Sequence, residues 1–313
     1  DCIVHSISNA LLQIPYKIRG YFLSEVIDFL SLHFKEIVNY DEYWNCINKI
    51  CLSAKNELGL SFSEKLFKKV YDSIIQMDIK KRETFRQYQN FIYAYSENLL
   101  QTNSDKVVAI YKERIDYLAN DEKKNHITLA RLYNRFYVYY KNKTTESQAH
   151  DYLKKSMDIC EKYNLLGLKV ENLYDEGNYY LFVPEKKQQL INCWETGYSI
   201  YKENKIALEY LTLNSLKKSI QTNILKNKYN EAEDDLEKAI NYIESGLYNQ
   251  QSLFFSASIY FLKTIYGLLS HKLSNDEIQK YLDTTSKYFV LMDNKKIFII
   301  YFLYAKLAYE REE

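Results

Sequence analysis

Small and apolar residues recur along this chain at helical spacing, and one stretch shows the pattern most plainly. Between Lys228 and Ile240, the residues Ala232, Leu236 and Ala239 fall four and then three apart, which places them on one stripe of a helix. Glu231, Glu233, Asp234 and Asp235 interleave with that stripe and are expected to face water. Small residues on the stripe predict close approach of a neighbouring helix. The same patterning predicts helices at 126–142, 145–163, 166–182, 186–203, 206–226, 229–245, 250–271, 275–292 and 296–310. Further upstream it predicts 21–39, 41–57, 62–78, 81–101 and 104–119, with Trp44, Ile47, Cys51 and Ala54 on one stripe and Val108, Tyr111, Ile115 and Leu118 on another.

The joints are short, as for antiparallel neighbours. They hold Asn142 to Thr145, Asn164 to Gly167, Pro184, Asn204, Asn227 to Asn230, Asn249 and Ser274 to Asp276. Thr145 before Glu146, and Ser274 before Asn275-Asp276-Glu277, read as helix caps with acids in the first turn.

Aligning alternate helices yields a period. Ala149/Leu153/Ser156, Leu190/Trp194/Gly197, Ala232/Leu236/Ala239 and Ile278/Leu282/Thr285 share the four-then-three spacing, and their first residues lie 41, 42 and 46 apart. A repeat of this size marks a solenoid, in which each helical hairpin buries its apolar face against its neighbours. The expected fold is therefore all-α, a right-handed α-solenoid of antiparallel hairpins. Residues 121–313 form the regular array, 21–120 form more degenerate hairpins, and 1–20 form a separate leading segment.

Composition agrees with helices. In 313 residues there are only seven Gly and two Pro, too little turn material for a many-stranded sheet. Tyr (32) and Phe (15) are abundant, suited to helix seams and to adhesive surfaces alike. Net charge is +1 with both signs mixed along the chain, so no basic stripe points to nucleic acid. Five scattered cysteines lack CxxC spacing and are expected to be free thiols in a cytoplasmic setting. The apolar window Ile297 to Tyr304 is too short to span a bilayer, so no membrane partner is expected.

The array resembles the tetratricopeptide repeat family. Its first unit offers Tyr133, Phe136, Tyr137 and Tyr140, then Ala149, Leu153 and Ser156; its third offers Leu216, Ser219, Ile220 and Asn223, then Ala232, Leu236 and Ala239. The second-helix half matches well. The first-helix half departs, with Tyr137 and Ile220 where the family has Gly, and Glu161 and Glu244 stand in place of its closing Pro. The period also exceeds the family's 34 residues. The resemblance covers about 126–292 and implies a concave surface lined by first helices. Carried over residue by residue, its binding positions are Arg131, Asn134, Asn172, Asp175, Tyr179, Asn214, Lys217, Gln221, Tyr260 and Lys263. Asn can hydrogen-bond an extended peptide backbone, and Lys or Arg can hold its carboxylates.

A second resemblance lies at the N-terminal edge. Val4-His5-Ser6-Ile7-Ser8-Asn9-Ala10-Leu11-Leu12, then Pro15 and Arg19, is similar to the end of the winged-helix segment in STAND-type signal-transduction NTPases. That resemblance implies a sensor arm attached to an upstream nucleotide-binding domain, with oligomerisation through domains outside this sequence. The start at Asp1 rather than Met fits the same expectation of a longer protein.

No chemistry announces itself. Walker, GxGxxG and HExxH patterns are missing, and the five His share no ligand spacing with Cys or acids. His150 and Cys160, ten residues apart on one helix, would stand about 15 Å apart, too far for proton transfer. The expectation is a non-catalytic module without cofactor or metal that binds a protein or peptide, for example as the sensor of a bacterial STAND NTPase in antiphage defence or signalling. A peptide-pheromone-type regulator and a static scaffold are the alternatives.

Overall fold

The computed structural model describes residues 16–32, 40–84, 86–102, 105–141, 143, 146–181, 183–206, 209–245 and 252–291, and among them it contains helices and no strand. The helices are α1 (Tyr16–Leu32), α2 (Tyr40–Leu58), α3 (Leu60–Ile74), α4 (Ile79–Thr84), α5 (Arg86–Gln101), α6 (Lys106–Leu118), α7 (Glu122–Lys141), α8 (Glu146–Lys162), α9 (Leu166–Tyr180), α10 (Lys187–Glu203), α11 (Glu209–Leu225), α12 (Tyr229–Glu244), α13 (Ser252–Ser270) and α14 (Asn275–Leu291). Single 3₁₀ turns occupy Ala119–Asp121 and Pro184–Lys186. These boundaries follow the hydrophobic spacing closely, and the stretch expected as a helix over 81–101 holds α4 and α5. Asp78 starts α4: its carboxylate accepts the Lys80 N–H at 2.7 Å, and its carbonyl accepts those of Lys81 and Arg82. The helix expected at 296–310, the Thr145 cap and the leading segment up to residue 15 lie outside the described residues.

The joints close the helices by one repeated device. Asn164, Lys205 and Asn227 adopt left-handed backbone, with φ of 54, 48 and 57°. The next amide then reaches back to the third-last helical carbonyl: Leu165 N–H to Cys160, Ile206 N–H to Tyr201 and Lys228 N–H to Asn223. This Schellman closure satisfies carbonyls that a helix end leaves open. Glycine usually fills that position; here Asn and Lys do so.

The chain divides into two compact units, Asp1–Ala149 and His150–Glu313. In the first, α2 packs on α3 and α5, α1 on α3, and α5 on α6, which in turn meets α7. An aromatic cluster fills its centre: Trp44 lies 5.4 Å from Tyr88 and 5.1 Å from Phe91, and Phe67 stacks on Tyr95 at 5.5 Å. Beside it, two charge pairs cross between α4 and α6. Arg82 donates to Glu113 at 2.6 Å, and Arg114 donates to both oxygens of Glu83. Glu83 and both arginines are buried.

In the second unit each helix from α9 to α14 packs on the next, and α9 also touches α11 as α11 touches α13. The eleven aligned four-then-three positions that fall in this unit, from Leu153 to Thr285, are all buried, as is Ala149 at the end of the first. Fully burying an apolar side chain such as Leu236 or Leu282 stabilises by about 1.5–3 kcal/mol, so this stripe contributes to the packing between helices. Polar links repeat at the same interval: Tyr174 to Ser215, Lys218 to Asn178 and Lys272 to Asn230 span 41, 40 and 42 residues. The first unit shows it too, in Lys69 to Asp28, Lys106 to Glu64 and Arg135 to Tyr93, spanning 41, 42 and 42 residues. The chain is a repeat-like, all-helical protein.

Candidate functional site

Helix α11 is packed by α9, α10, α12 and α13, and most of its surface is buried. Asn214, Lys217 and Gln221 are half-buried and spaced three and four apart, so they form one accessible strip along it. The Lys217 ammonium lies 5.8 Å from the Phe255 ring of α13. Gln221 accepts from Lys218 Nζ at 3.3 Å, and Lys218 also donates to Asn178 of α9. The strip therefore borders both neighbouring first helices.

The remaining expected positions divide by burial. Arg131, in the first unit, is exposed on α7, and Asp175 and Tyr179 are half-buried on α9. Tyr179 meets His150 edge-on at 5.9 Å and lies 5.7 Å from the Lys186 ammonium. Asn134, Asn172, Tyr260 and Lys263 are buried and leave the row of accessible positions. Asn172 donates to Ser156 Oγ at 2.9 Å and to Cys160 Sγ at 3.7 Å. Tyr260 stacks on Tyr288 at 5.8 Å and on Tyr281 at 6.4 Å. The Lys263 ammonium lies 5.1 Å from the Tyr266 ring. The physical reason is that a packed first helix has seams with several neighbours. A shift of one residue, about 100° around the helix, moves a polar residue from the open strip into a seam.

A second feature lies on the other side of α11. Successive helical residues advance by about 100°, so Ser219, Thr222 and Asn223 project roughly opposite to the strip. With Trp194 and Tyr198 of α10 and Glu231, Asp234 and Asp235 of α12, they line a cleft of about 460 Å³. Here one expectation is corrected. Asp235 does not face water; it is buried and accepts Ser219 Oγ at 2.6 Å, Lys238 Nζ at 3.0 Å and Tyr198 OH at 3.5 Å. Its position next to Leu236 turns it toward the α10–α11 side of the helix rather than outward. Burial raises the Tyr198 phenol above its usual range, and the Asp235 charge adds to that. The hydrogen bond to Asp235 raises Lys238. Sequence spacing alone grouped Asp235 with its acidic neighbours. The hydroxyls of Ser219 and Tyr198, sixteen and 37 residues away, distinguish it.

The described thiols Cys46, Cys51, Cys160 and Cys193 are free. Burial pushes Cys160 up to about 11 and Cys193 up to about 12, so both are protonated near neutrality. Among the described residues no group of three or more His, Cys, Asp or Glu is placed to hold a metal ion, and no helix is long and apolar enough to cross a membrane. No protein-family model and no curated protein matches the chain.

Proposed function

We propose that this chain is a non-catalytic, protein-binding module, built as a right-handed α-solenoid of tetratricopeptide-like hairpins, that takes a protein or peptide ligand along its first helices. The observation that carries the reading is the accessible strip Asn214, Lys217 and Gln221, flanked on either side by first helices one repeat away. Amide and ammonium groups at this spacing suit an extended peptide with a carboxylate. The polar links recurring about every 40 residues support a shared phase between hairpins, which a continuous binding surface needs.

The reading extends to a sensor arm of a STAND-type NTPase in the cytoplasm of a bacterium, with ligand binding shifting the population of an upstream domain's states. Such a ligand must bind the active arrangement more tightly than the resting one. A nucleotide-binding loop encoded ahead of Asp1 is the expected finding, and a start codon close upstream would remove the extension.

The binding test is a displayed peptide library selected against the chain, followed by calorimetric titration of the selected peptides with wild type and with Lys217→Glu. Lys217 is half-exposed, so its reversal leaves the core intact, whereas Lys263 is buried and unsuitable. The expected loss is about tenfold or more, in the range of a charge-assisted contact. Selected peptides that bind Lys217→Glu with unchanged affinity would move the site off this strip.

A further inference from the structure

The cleft between α10 and α12 differs from the strip in its chemistry as well as its place. Its α10 side carries Tyr198, half-buried, with Trp194 fully buried beneath, and its volume of about 460 Å³ falls among small-ligand sites. Asp235 is buried at one side, already engaged by Ser219, Tyr198 and Lys238. Glu195, also in the lining, pairs with Lys226 at 2.5 Å. That leaves Glu231 and Asp234, both exposed, against the single further cation Lys202. The balance is acidic, and an anion entering here would meet two carboxylates.

A separate observation points to a ligand. Thr222 Oγ1 is buried in the lining and has no hydrogen-bond partner. Helical threonines commonly return their hydroxyl to the carbonyl four residues back, and three of the described residues do so elsewhere. Thr264, 42 residues on in α13, donates to the Tyr260 carbonyl at 3.1 Å, Thr284 to that of Lys280 at 2.9 Å and Thr285 to that of Tyr281 at 2.8 Å. Thr222, in the first helix one repeat earlier, does not. A buried hydroxyl left unpaired is costly, and a ligand N–H donated to it removes that cost.

We propose that this cleft binds an ammonium or guanidinium group on a short apolar stem, the stem lying against Tyr198, the cation meeting Glu231 and Asp234, and one N–H reaching Thr222. An aromatic ring beside carboxylates suits such a group better than a neutral or anionic one. The same chemistry is carried by a lysine or arginine side chain of a protein partner and by a free diamine. The proposal stands apart from the reading of the first-helix strip, since it concerns the opposite face of α11.

The test is a titration of the isotope-labelled chain, followed by NMR, with three probes: 1,5-diaminopentane, agmatine, and a capped pentapeptide with one arginine among glycines. The same peptide with glutamate in place of arginine serves as control. Saturable shifts confined to the amides around residues 194–202, 219–223 and 231–238 are expected. Affinity should fall about tenfold in the double variant Glu231→Gln/Asp234→Asn and about threefold in Thr222→Val, as for a lost charge-assisted contact and a lost neutral one. The acids are exposed, so the double variant should melt with the wild type, and that keeps the result separate from a folding defect. Binding of the peptide alone assigns the site to a protein partner, binding of the amines alone to a small cation, and either supports it. Shifts that fail to saturate by about 10 mM with every probe, equal response to the glutamate peptide, or full affinity in the double variant would overturn it. Loss of first-helix peptide binding in Lys217→Glu bears on none of these outcomes.

Discussion

Trp194 lies directly against Gly177: a Cβ built on the glycine would stand 2.3 Å from the indole Nε1. The contact is reciprocated one turn along, where a Cβ on Gly197 would stand 2.6 Å from Cε1 of Tyr174. Each of α9 and α10 thus offers a bare backbone to the other's aromatic ring. Neither ring is free to give way. Tyr174 OH donates to Ser215 at 2.9 Å, and Lys218 holds its ammonium 4.0 Å from the centre of Trp194. Gly177→Ala gains about 1 kcal/mol of helix propensity but overpacks a seam at a cost of roughly 1–3 kcal/mol. A net destabilisation is therefore expected, read as a lower urea midpoint, and an unchanged midpoint would show that α9 and α10 can separate cheaply.

The crossed pairs of α4 and α6 yield a second prediction. Arg114 and Glu83 are only 5 and 3% exposed in their side chains, so removing one partner strands a buried charge. Glu83→Leu or Arg114→Leu should each cost about 3–5 kcal/mol, whereas the double replacement Glu83→Leu/Arg114→Leu should recover most of it. A double-mutant cycle by denaturant unfolding measures the coupling. Simple additivity of the two single losses would contradict the geometry.

Lys205 offers a stabilising change. Its φ of 48° imposes left-handed backbone on a residue with a Cβ, at the position where glycine is usual. Lys205→Gly should raise stability by about 1 kcal/mol, seen as a higher melting temperature, because the Schellman bonds of Lys205 and Ile206 use only main-chain atoms.

At the start of α14 a reciprocal cap sets a pH dependence. The Ser274 N–H donates to Glu277 Oε2 at 2.9 Å, and the Glu277 N–H donates back to Ser274 Oγ at 3.3 Å. The Ser274 backbone N–H, and then its hydroxyl, hold the Glu277 carboxyl below its ordinary value. A carboxyl with a depressed folded value contributes stability in full above its unfolded pKa, about 4.3, and loses it as pH falls through the folded value. The protection factors against hydrogen exchange at the first amides of α14, corrected for the intrinsic rate at each pH, should therefore fall in acid for wild type. In Glu277→Gln that acid-driven fall should be absent.

Helix existence was legible along the described chain because it depends on near neighbours. A four-then-three spacing such as Ala232, Leu236 and Ala239 is a property of one helix face, and burial of all three is its direct consequence. The closing turns at Asn164 and Asn227 were legible for the same reason, since a few consecutive residues make them. Lys205 was not singled out, although its neighbour Asn204 was, because Lys carries no left-handed preference of its own.

The candidate site was legible only in part. Asn214, Lys217 and Gln221 came out on one accessible strip, but Asn172, Tyr260 and Lys263 turned into seams where Ser156, Tyr288 and Tyr266 receive them. The acidic run of α12 read as uniformly solvated, and Asp235 is not.

Spacing along the chain was enough for helix content and for the buried stripe of each helix, since both reflect contacts within one or two turns, and the recurrence of that stripe was enough for the repeat interval. Which polar side chain lies open and which is consumed inside, and where α10, α11 and α12 leave a cleft, depended on partners 16 to 41 residues away. A side chain's neighbours across a seam follow from how two helices rotate against each other, and no local pattern records that rotation.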